Sequence, residues 1–128
     1  MLVDHIDLRV SNLAAARPLY DGLLTALGYA KLNADETSVG YHRSAETEDS
    51  DPFIWLVEDA SHVPNGTRIA FAATSRAEVD RLAGVARDAG AGAFEPPHLC
   101  TEYTPHYYAS FFEDADGNKF EICYRKRG

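Results

Sequence analysis

An internal repeat constrains the fold of this chain more than any single motif does. Each half contains an alternating strand, an amphipathic helix that ends at a glycine, and about three further strands. The segment HIDLRV of the first half corresponds to RIAFAA in the second, and PFIWLV corresponds to KFEICY. Because one copy of this βαβββ pattern has too few strands to bury a sheet face alone, the two copies are expected to fold together.

The repeat predicts an α+β fold made of two βαβββ modules. The modules span about 1–60 and 67–128, and a linker at about 61–66 contains Pro64 and the turn-forming pair Asn65-Gly66. A length of 128 residues is that of a single domain, so 1–128 is expected to form one. We expect mixed, mostly antiparallel strands that curl around a shared cleft, with the helices packed outside.

Capping residues predict where the two helices begin. Ser11 or Asn12 can cap a first helix that starts near Leu13. In the second half, the capping box from Ser75 to Glu78 precedes the second helix.

Two further segments have less regular sequence patterns. Phe94-Glu95 predicts a short strand that ends before Pro96-Pro97. The segment Ser44–Asp51 is expected to be an exposed loop, because it is polar and acidic. A calcium-binding loop is the weaker alternative, because the segment lacks the glycine that the tight turn of such a loop needs.

The most informative stretch is the C-terminal segment from Tyr107 to Tyr124. Asp116-Gly117 lies between two alternating apolar runs, which is a strong hairpin signal. In the returning strand, Glu121 lies on the face opposite Phe120 and Ile122. A carboxylate at this position must face either water or a cleft in which a carboxylate is needed.

Composition excludes several classes of function. The net charge of −8 argues against binding to nucleic acid or to an anionic membrane surface. No apolar run is long enough to span a membrane, and no export signal precedes the first strand. Two cysteines are too few for a disulfide framework, so we expect a cytoplasmic protein.

Three stretches resemble the vicinal oxygen chelate superfamily, the group of glyoxalases, bleomycin resistance proteins and extradiol dioxygenases. They are DHIDLRV, GTRIAFAATSRAEVD and, most specifically, FFEDADGNKFEI. The resemblance implies a cup-shaped sheet, a homodimer and a small-molecule ligand in the cleft. In metal-dependent members of the superfamily, the first and last strands of each module supply the metal ligands.

Only part of that ligand set carries over to this chain. The resemblance places metal ligands at His5 and Glu121, and it makes Glu121 the candidate catalytic residue. The other two positions fall on Arg68 and Ile54. Arginine offers no lone pair to a metal, and a catalytic site normally needs three protein ligands.

The incomplete ligand set leaves three interpretations of the site. In the first, Arg68 replaces the metal and forms an ion pair with Glu121, so that no cofactor is bound. In the second, Asp7 or His106 completes a rearranged site for zinc, nickel, manganese or iron. In the third, these side chains lie at an edge and face water.

Aromatic residues and a loop complete the candidate binding site. Tyr41 and Trp55 are candidates to line the cleft, although core or dimer packing would also explain them. The loop before the hairpin concentrates aromatic residues and histidines, and we expect Tyr103 and His106 to form its ligand-contacting lid or rim. A surface loop fixed by aromatic packing would equally explain this composition. Arg68 is the expected cationic contact.

Two functional hypotheses follow from these residues. One is a lyase, isomerase or dioxygenase in which a metal polarises the substrate and Glu121 assists proton transfer. The other is a metal-free binding protein that sequesters an organic ligand by aromatic stacking and through Arg68.

Overall fold

The computed structural model describes residues 3–43 and 52–126. The chain divides into two compact units, Met1–Val63 and Pro64–Gly128. Each unit has the order strand, helix, three strands, so the prediction of two βαβββ modules is confirmed. The predicted acidic loop, Ser44–Asp51, lies outside the described residues. That the two units together form one domain stays a prediction.

The first unit consists of a four-stranded mixed sheet and one helix. The elements are β1 (Ile6–Val10), α1 (Leu13–Ala26), β2 (Ala30–Ala34), β3 (Ser38–His42) and β4 (Pro52–Glu58). The sheet order is β1-β4-β3-β2, in which β1 runs parallel to β4 and the other pairs are antiparallel.

Helix α1 begins where the sequence predicts and is tied to the sheet by a buried tyrosine. The side chain of Asn12 accepts a hydrogen bond from the backbone N–H of Ala15 at 2.9 Å, which satisfies one orphan donor of the first turn. Tyr41 on β3 is fully buried, and its hydroxyl donates to Asp21 of α1 at 2.6 Å. The face of β3 that carries Tyr41 is therefore the face covered by the helix.

The second unit repeats this arrangement. Its elements are β5 (Arg68–Ala72), α2 (Arg76–Asp88), β6 (Gly92–Leu99), β7 (Tyr107–Glu113) and β8 (Lys119–Arg125). The sheet order is β5-β8-β7-β6, with β5 parallel to β8 and the remaining pairs antiparallel. At the start of α2, Ser75 caps the backbone N–H of Glu78 at 3.0 Å, as predicted.

Strand β6 is longer than the sequence predicts. It runs through both prolines, Pro96 and Pro97, instead of ending before them. The reason is its position at the edge of the sheet, because an edge strand can accommodate residues that lack a backbone N–H donor.

The two faces of the second sheet differ in what covers them. The hydroxyl of Tyr108 on β7 donates to Asp80 of α2 at 2.7 Å, which places the helix on the face of Tyr108 and Phe112. The opposite face, called the helix-free face below, contains a separate cluster of buried residues: Cys100, Tyr107, Ala109 and Phe111, with Cys123 packed against them. Glu121 belongs to this face, since it is the cross-strand partner of Phe111.

No helix among residues 3–43 and 52–126 is both long and apolar enough to cross a membrane.

The predicted hairpin is present, and its turn is organised by a buried aspartate. Asp114 is 5% exposed, and its carboxylate accepts hydrogen bonds from the backbone N–H groups of Asp116 and Asn118, each at 2.9 Å. The amide of Asn118 adds a third at 2.7 Å. Gly117 has a φ of +93°, which a residue with a Cβ adopts only with strain.

Asp114→Ala is expected to lower the free energy of unfolding by about 2–3 kcal/mol, because it leaves two backbone donors of the turn without their acceptor. Denaturant unfolding of the variant and the wild type measures the difference. Asp88→Ala, which removes an exposed carboxylate from α2, serves as the control and should change stability by less than about 0.5 kcal/mol. A loss no larger than that of the control would show that Asp114 does not organise the turn.

Candidate functional site

The central feature of the helix-free face is the buried carboxylate Glu121. It is 6% exposed, and it accepts a hydrogen bond from the hydroxyl of Tyr107 on the neighbouring strand β7. Burial, and then the hydrogen bond to Glu121, raise the pKa of Tyr107 above its ordinary value. Tyr107 is therefore a neutral donor at physiological pH, and it satisfies a group whose burial would otherwise be costly.

Arg68 does not form the predicted ion pair with Glu121. Its guanidinium carbon instead lies 4.9 Å from the centre of the Phe111 ring. Phe111 is the cross-strand partner of Glu121, so the guanidinium lies over the ring of a residue that neighbours the carboxylate. No salt bridge joins Arg68 to Glu121 in the described part of the chain. The prediction of this pair is wrong, because Tyr107 takes the place that it assigned to Arg68.

A second arginine and a second tyrosine surround Tyr107. The guanidinium carbon of Arg125 lies 5.0 Å from the centre of the Tyr107 ring, at a distance typical of cation–π contacts. Tyr103 meets Tyr107 edge to face, with ring centres 5.1 Å apart and planes inclined by 70°. Tyr107 thus contacts a carboxylate, a cation and an aromatic ring.

These residues line a cavity of about 470 Å³ in the second unit. We call it the Tyr107 cavity, and its lining residues are Glu102, Tyr103, Thr104, Tyr107, Glu121 and Arg125. Tyr103 is 56% exposed and stands at its rim. The volume lies within the range that accommodates small organic ligands.

Among the loop residues singled out in the sequence, Tyr103 lines this cavity and His106 does not. The side chain of His106 is exposed. Glu102, Tyr107 and Arg125 were not predicted from the sequence to be site residues. Tyr107 could have been found from the hairpin alone, because pairing outward from the turn brings it next to the strand of Glu121.

Cys100, on this face, is a structural residue. Cys100 is fully buried, and its sulfur lies 3.6 Å from Nε2 of His98. Burial raises the pKa of the Cys100 thiol, and the nearby carboxylates Glu102, Glu121 and Glu95 raise it further. A thiol with a raised pKa is a poor nucleophile at neutral pH. Three carboxylates therefore lie near enough to Cys100 to act on its thiol.

In the first unit, the predicted site residues separate onto different faces. Tyr41 was expected to line the cleft, but it is fully buried beneath α1 and bonded to Asp21; that expectation is wrong in its choice of face. Trp55 is half-buried and lies on the other face, where it lines a cavity of about 340 Å³ together with Asp7 and Arg9. His5 is about half exposed, and its Nδ1 lies 2.8 Å from the carboxylate of Asp4.

Strand register identifies which positions of the two modules correspond. In the first sheet Ile6 pairs with Ile54, and in the second Ile69 pairs with Phe120. Ile54 therefore corresponds to Phe120, and the counterpart of Glu121 is Trp55. The sequence alignment that placed Ile54 at the ligand position was wrong by one residue, and a shift of one residue in a strand exchanges its faces.

The residues present do not fit a divalent metal. The four positions that the resemblance marks as ligands, with the corrected register, are His5, Trp55, Arg68 and Glu121. Indole and guanidinium nitrogens offer no lone pair to a metal, and Glu121 already accepts the hydroxyl of Tyr107. No group of three or more histidine, cysteine, aspartate or glutamate side chains is placed to hold a metal ion within residues 3–43 and 52–126.

No protein-family model matches the sequence, and no curated protein matches it significantly. Solved structures do match the fold over almost the whole chain. A glyoxalase/bleomycin resistance protein from Albidiferax ferrireducens T118 superposes with a TM-score of 0.77 at 24% identity, covering 98% of this chain and 100% of that one. The fold is that of the glyoxalase/bleomycin resistance proteins.

Two further structures with this fold carry more specific names. A glyoxalase-related enzyme from Fulvimarina pelagi has a TM-score of 0.73 at 18% identity and covers 98% of this chain and 88% of that one. The fosfomycin resistance protein FosX from Listeria monocytogenes has a TM-score of 0.72 at 17% identity, with coverages of 98% and 94%. Identities this low support the shared glyoxalase/bleomycin resistance fold and leave the chemistry to the residues of this chain.

Tyr107→Phe is expected to lower the free energy of unfolding by about 1–3 kcal/mol at neutral pH, because it leaves the buried carboxylate of Glu121 without its donor. Denaturant unfolding measures the loss. Tyr103→Phe, which removes the hydroxyl of an exposed tyrosine, is the control and should stay within about 0.5 kcal/mol of the wild type.

The same pair of proteins tests the pKa of Tyr107. In the unfolded chain a tyrosine ionises near pH 10, and folding raises the pKa of Tyr107 above that value. The difference in stability between wild type and Tyr107→Phe should therefore be constant between about pH 7 and pH 9 and shrink above about pH 10. Tyr41 is present in both proteins, so its contribution cancels. A difference that grows with alkaline pH would contradict the assignment.

Proposed function

We propose that this chain is a binding protein that holds a small organic molecule in the Tyr107 cavity without a metal. The observation that supports this best is the environment of Glu121. At the position where the resemblance places a metal ligand, the carboxylate accepts a tyrosine hydroxyl and adjoins a cavity of about 470 Å³ lined by two tyrosines and polar side chains. Concave sites with aromatic walls and a few polar groups are typical of small-molecule binding.

The enzymatic hypothesis receives less support from the same residues. Proton transfer by Glu121 would need a carboxylate free to exchange a proton with a substrate. Glu121 is 6% exposed and is held by Tyr107, and the metal that would polarise a substrate has no fitting ligand set. A binding protein needs neither feature. The names of the structural neighbours include resistance to bleomycin and to fosfomycin, which makes both compounds reasonable first ligands.

Ligand binding is expected to shift the nuclear magnetic resonance signals of the Tyr107 cavity selectively. Nuclear magnetic resonance titrations of the labelled chain would use fosfomycin, bleomycin and a set of small aromatic acids, aromatic amines and alkylammonium salts. At least one ligand should bind saturably and shift the backbone signals of Tyr103, Thr104 and Tyr107. Tyr103→Ala should weaken that binding about fivefold to tenfold, because it removes an aromatic wall.

Leu32→Ala is the matched control for this experiment, since Leu32 is 46% exposed on β2 of the other unit. It should leave the affinity unchanged. If no member of the set binds, or if saturable binding shifts only signals around Trp55, then the proposed function of the Tyr107 cavity is wrong.

Metal binding provides an independent prediction. After dialysis against zinc, nickel, manganese or ferrous iron, the wild type is expected to retain far less than one ion per chain, because the marked positions include Arg68 and Trp55. Elemental analysis of the dialysed protein measures the content. A stoichiometric ion that is lost in Glu121→Gln, but kept in the exposed control Asp88→Asn, would contradict a metal-free site.

A further inference from the structure

We propose that the Tyr107 cavity selects organic cations, and that Arg125 is an intramolecular occupant which such a cation displaces. The proposal rests on the proposed function, since it assigns a ligand class to the same cavity. It concerns ammonium and guanidinium groups, which combine a positive charge with an affinity for aromatic faces.

The Tyr107 cavity already holds a cation of this kind. The guanidinium of Arg125 lies over the ring of Tyr107 at 5.0 Å. Arg125 is an exposed residue near the end of β8, so it can leave that ring at little cost to the fold. The ring face that it covers would then be available to a ligand cation.

The two aromatic rings of the cavity are arranged to contact a cation. Tyr103 meets Tyr107 at 70° and is itself 56% exposed at the rim. Two rings set edge to face form two sides of a corner. A quaternary ammonium group placed in such a corner contacts aromatic surface on more than one side, which is how aromatic cages recognise these groups.

The lining of the Tyr107 cavity carries mostly negative charge. Apart from Arg125, its charged residues are the carboxylates Glu102 and Glu121. Tyr107 satisfies Glu121 as a neutral donor, so this hydrogen bond cancels none of the charge of Glu121. The raised pKa of the nearby Cys100 thiol, caused first by burial and then by Glu102, Glu121 and Glu95, agrees with a negative local potential.

The anionic alternative would use Arg125 as the binding group. An anion would then lie beside two carboxylates and would compete with the Tyr107 ring for the same guanidinium. The two alternatives predict opposite effects for the removal of Arg125, and this difference makes the proposal testable.

Choline and its uncharged isostere dimethylbutanol are the probes, titrated separately into the full chain and followed by backbone chemical shifts. Choline should bind saturably at Tyr103, Thr104 and Tyr107, and dimethylbutanol should bind at least about tenfold more weakly, because it lacks the charge. Arg125→Gln should bind choline about twofold to fivefold more tightly, because it removes the competing cation.

Charge-matched controls separate local from long-range effects. Arg87→Gln makes the same change of charge on α2 and should leave choline binding unaltered. Glu102→Gln should weaken choline binding, whereas Asp88→Asn, with the same change on α2, should not. Arg87, Asp88 and Glu102 are exposed, as is Arg125, so none of these variants removes a buried group.

Two results would overturn the proposal in distinguishable ways. If aromatic acids bind at Tyr103 and Tyr107, and Arg125→Gln weakens them while choline does not bind, the ligand is an anion and only the cation selectivity is wrong. If neither choline, dimethylbutanol nor any other compound in the ligand set shifts the signals of this cavity, the proposed binding function fails as well.

Discussion

The burial of one carboxylate determines how the second unit is arranged. Glu121 lies in the middle of β8 among apolar neighbours, at 6% exposure, and an unsatisfied carboxylate in that position would cost several kilocalories per mole. Tyr107 supplies the donor from the first residue of β7. For its hydroxyl to arrive there, the β7–β8 hairpin must keep its register, which the buried turn residue Asp114 stabilises. The carboxylate, the tyrosine and the turn therefore depend on one another.

The two modules show how one scaffold can carry different chemistry on equivalent strands. The corresponding positions on β4 and β8 are Trp55 and Glu121, and those at the start of the modules are His5 and Arg68. The helix-covered faces remain apolar in both modules, because Ile54 and Phe120 occupy equivalent buried sites. The faces away from the helices differ between the modules, and with Trp55 and Arg68 among the four marked positions they do not fit a metal site.

The fold was predictable from the sequence because its signals are local and repeated. The caps at Asn12 and Ser75, the alternation along the strands and the turn at Asp116-Gly117 each act within a few residues. The site was only partly predictable, because its contacts depend on the pairing of strands. The partner of Glu121 was expected to be Arg68, whose strand neighbours that of Glu121 in the sheet. The guanidinium of Arg68 instead lies over the ring of Phe111, and the hydroxyl of Tyr107 donates a hydrogen bond to the carboxylate. Register also explains the misplaced Ile54, since a short apolar strand such as FIWLV gives no alternation from which to assign faces.

The choice of a tyrosine over an arginine as the partner of Glu121 has an electrostatic consequence. An Arg68–Glu121 pair would have joined opposite charges and left the face nearly neutral, whereas a phenol satisfies the carboxylate geometrically and leaves its charge in place. Both nearby arginines lie instead on aromatic rings, Arg68 on Phe111 and Arg125 on Tyr107. Cations are thus held here by ring faces and not by the buried carboxylate. A ligand that enters the Tyr107 cavity meets the ring that Arg125 contacts, so this contact indicates what the cavity can bind.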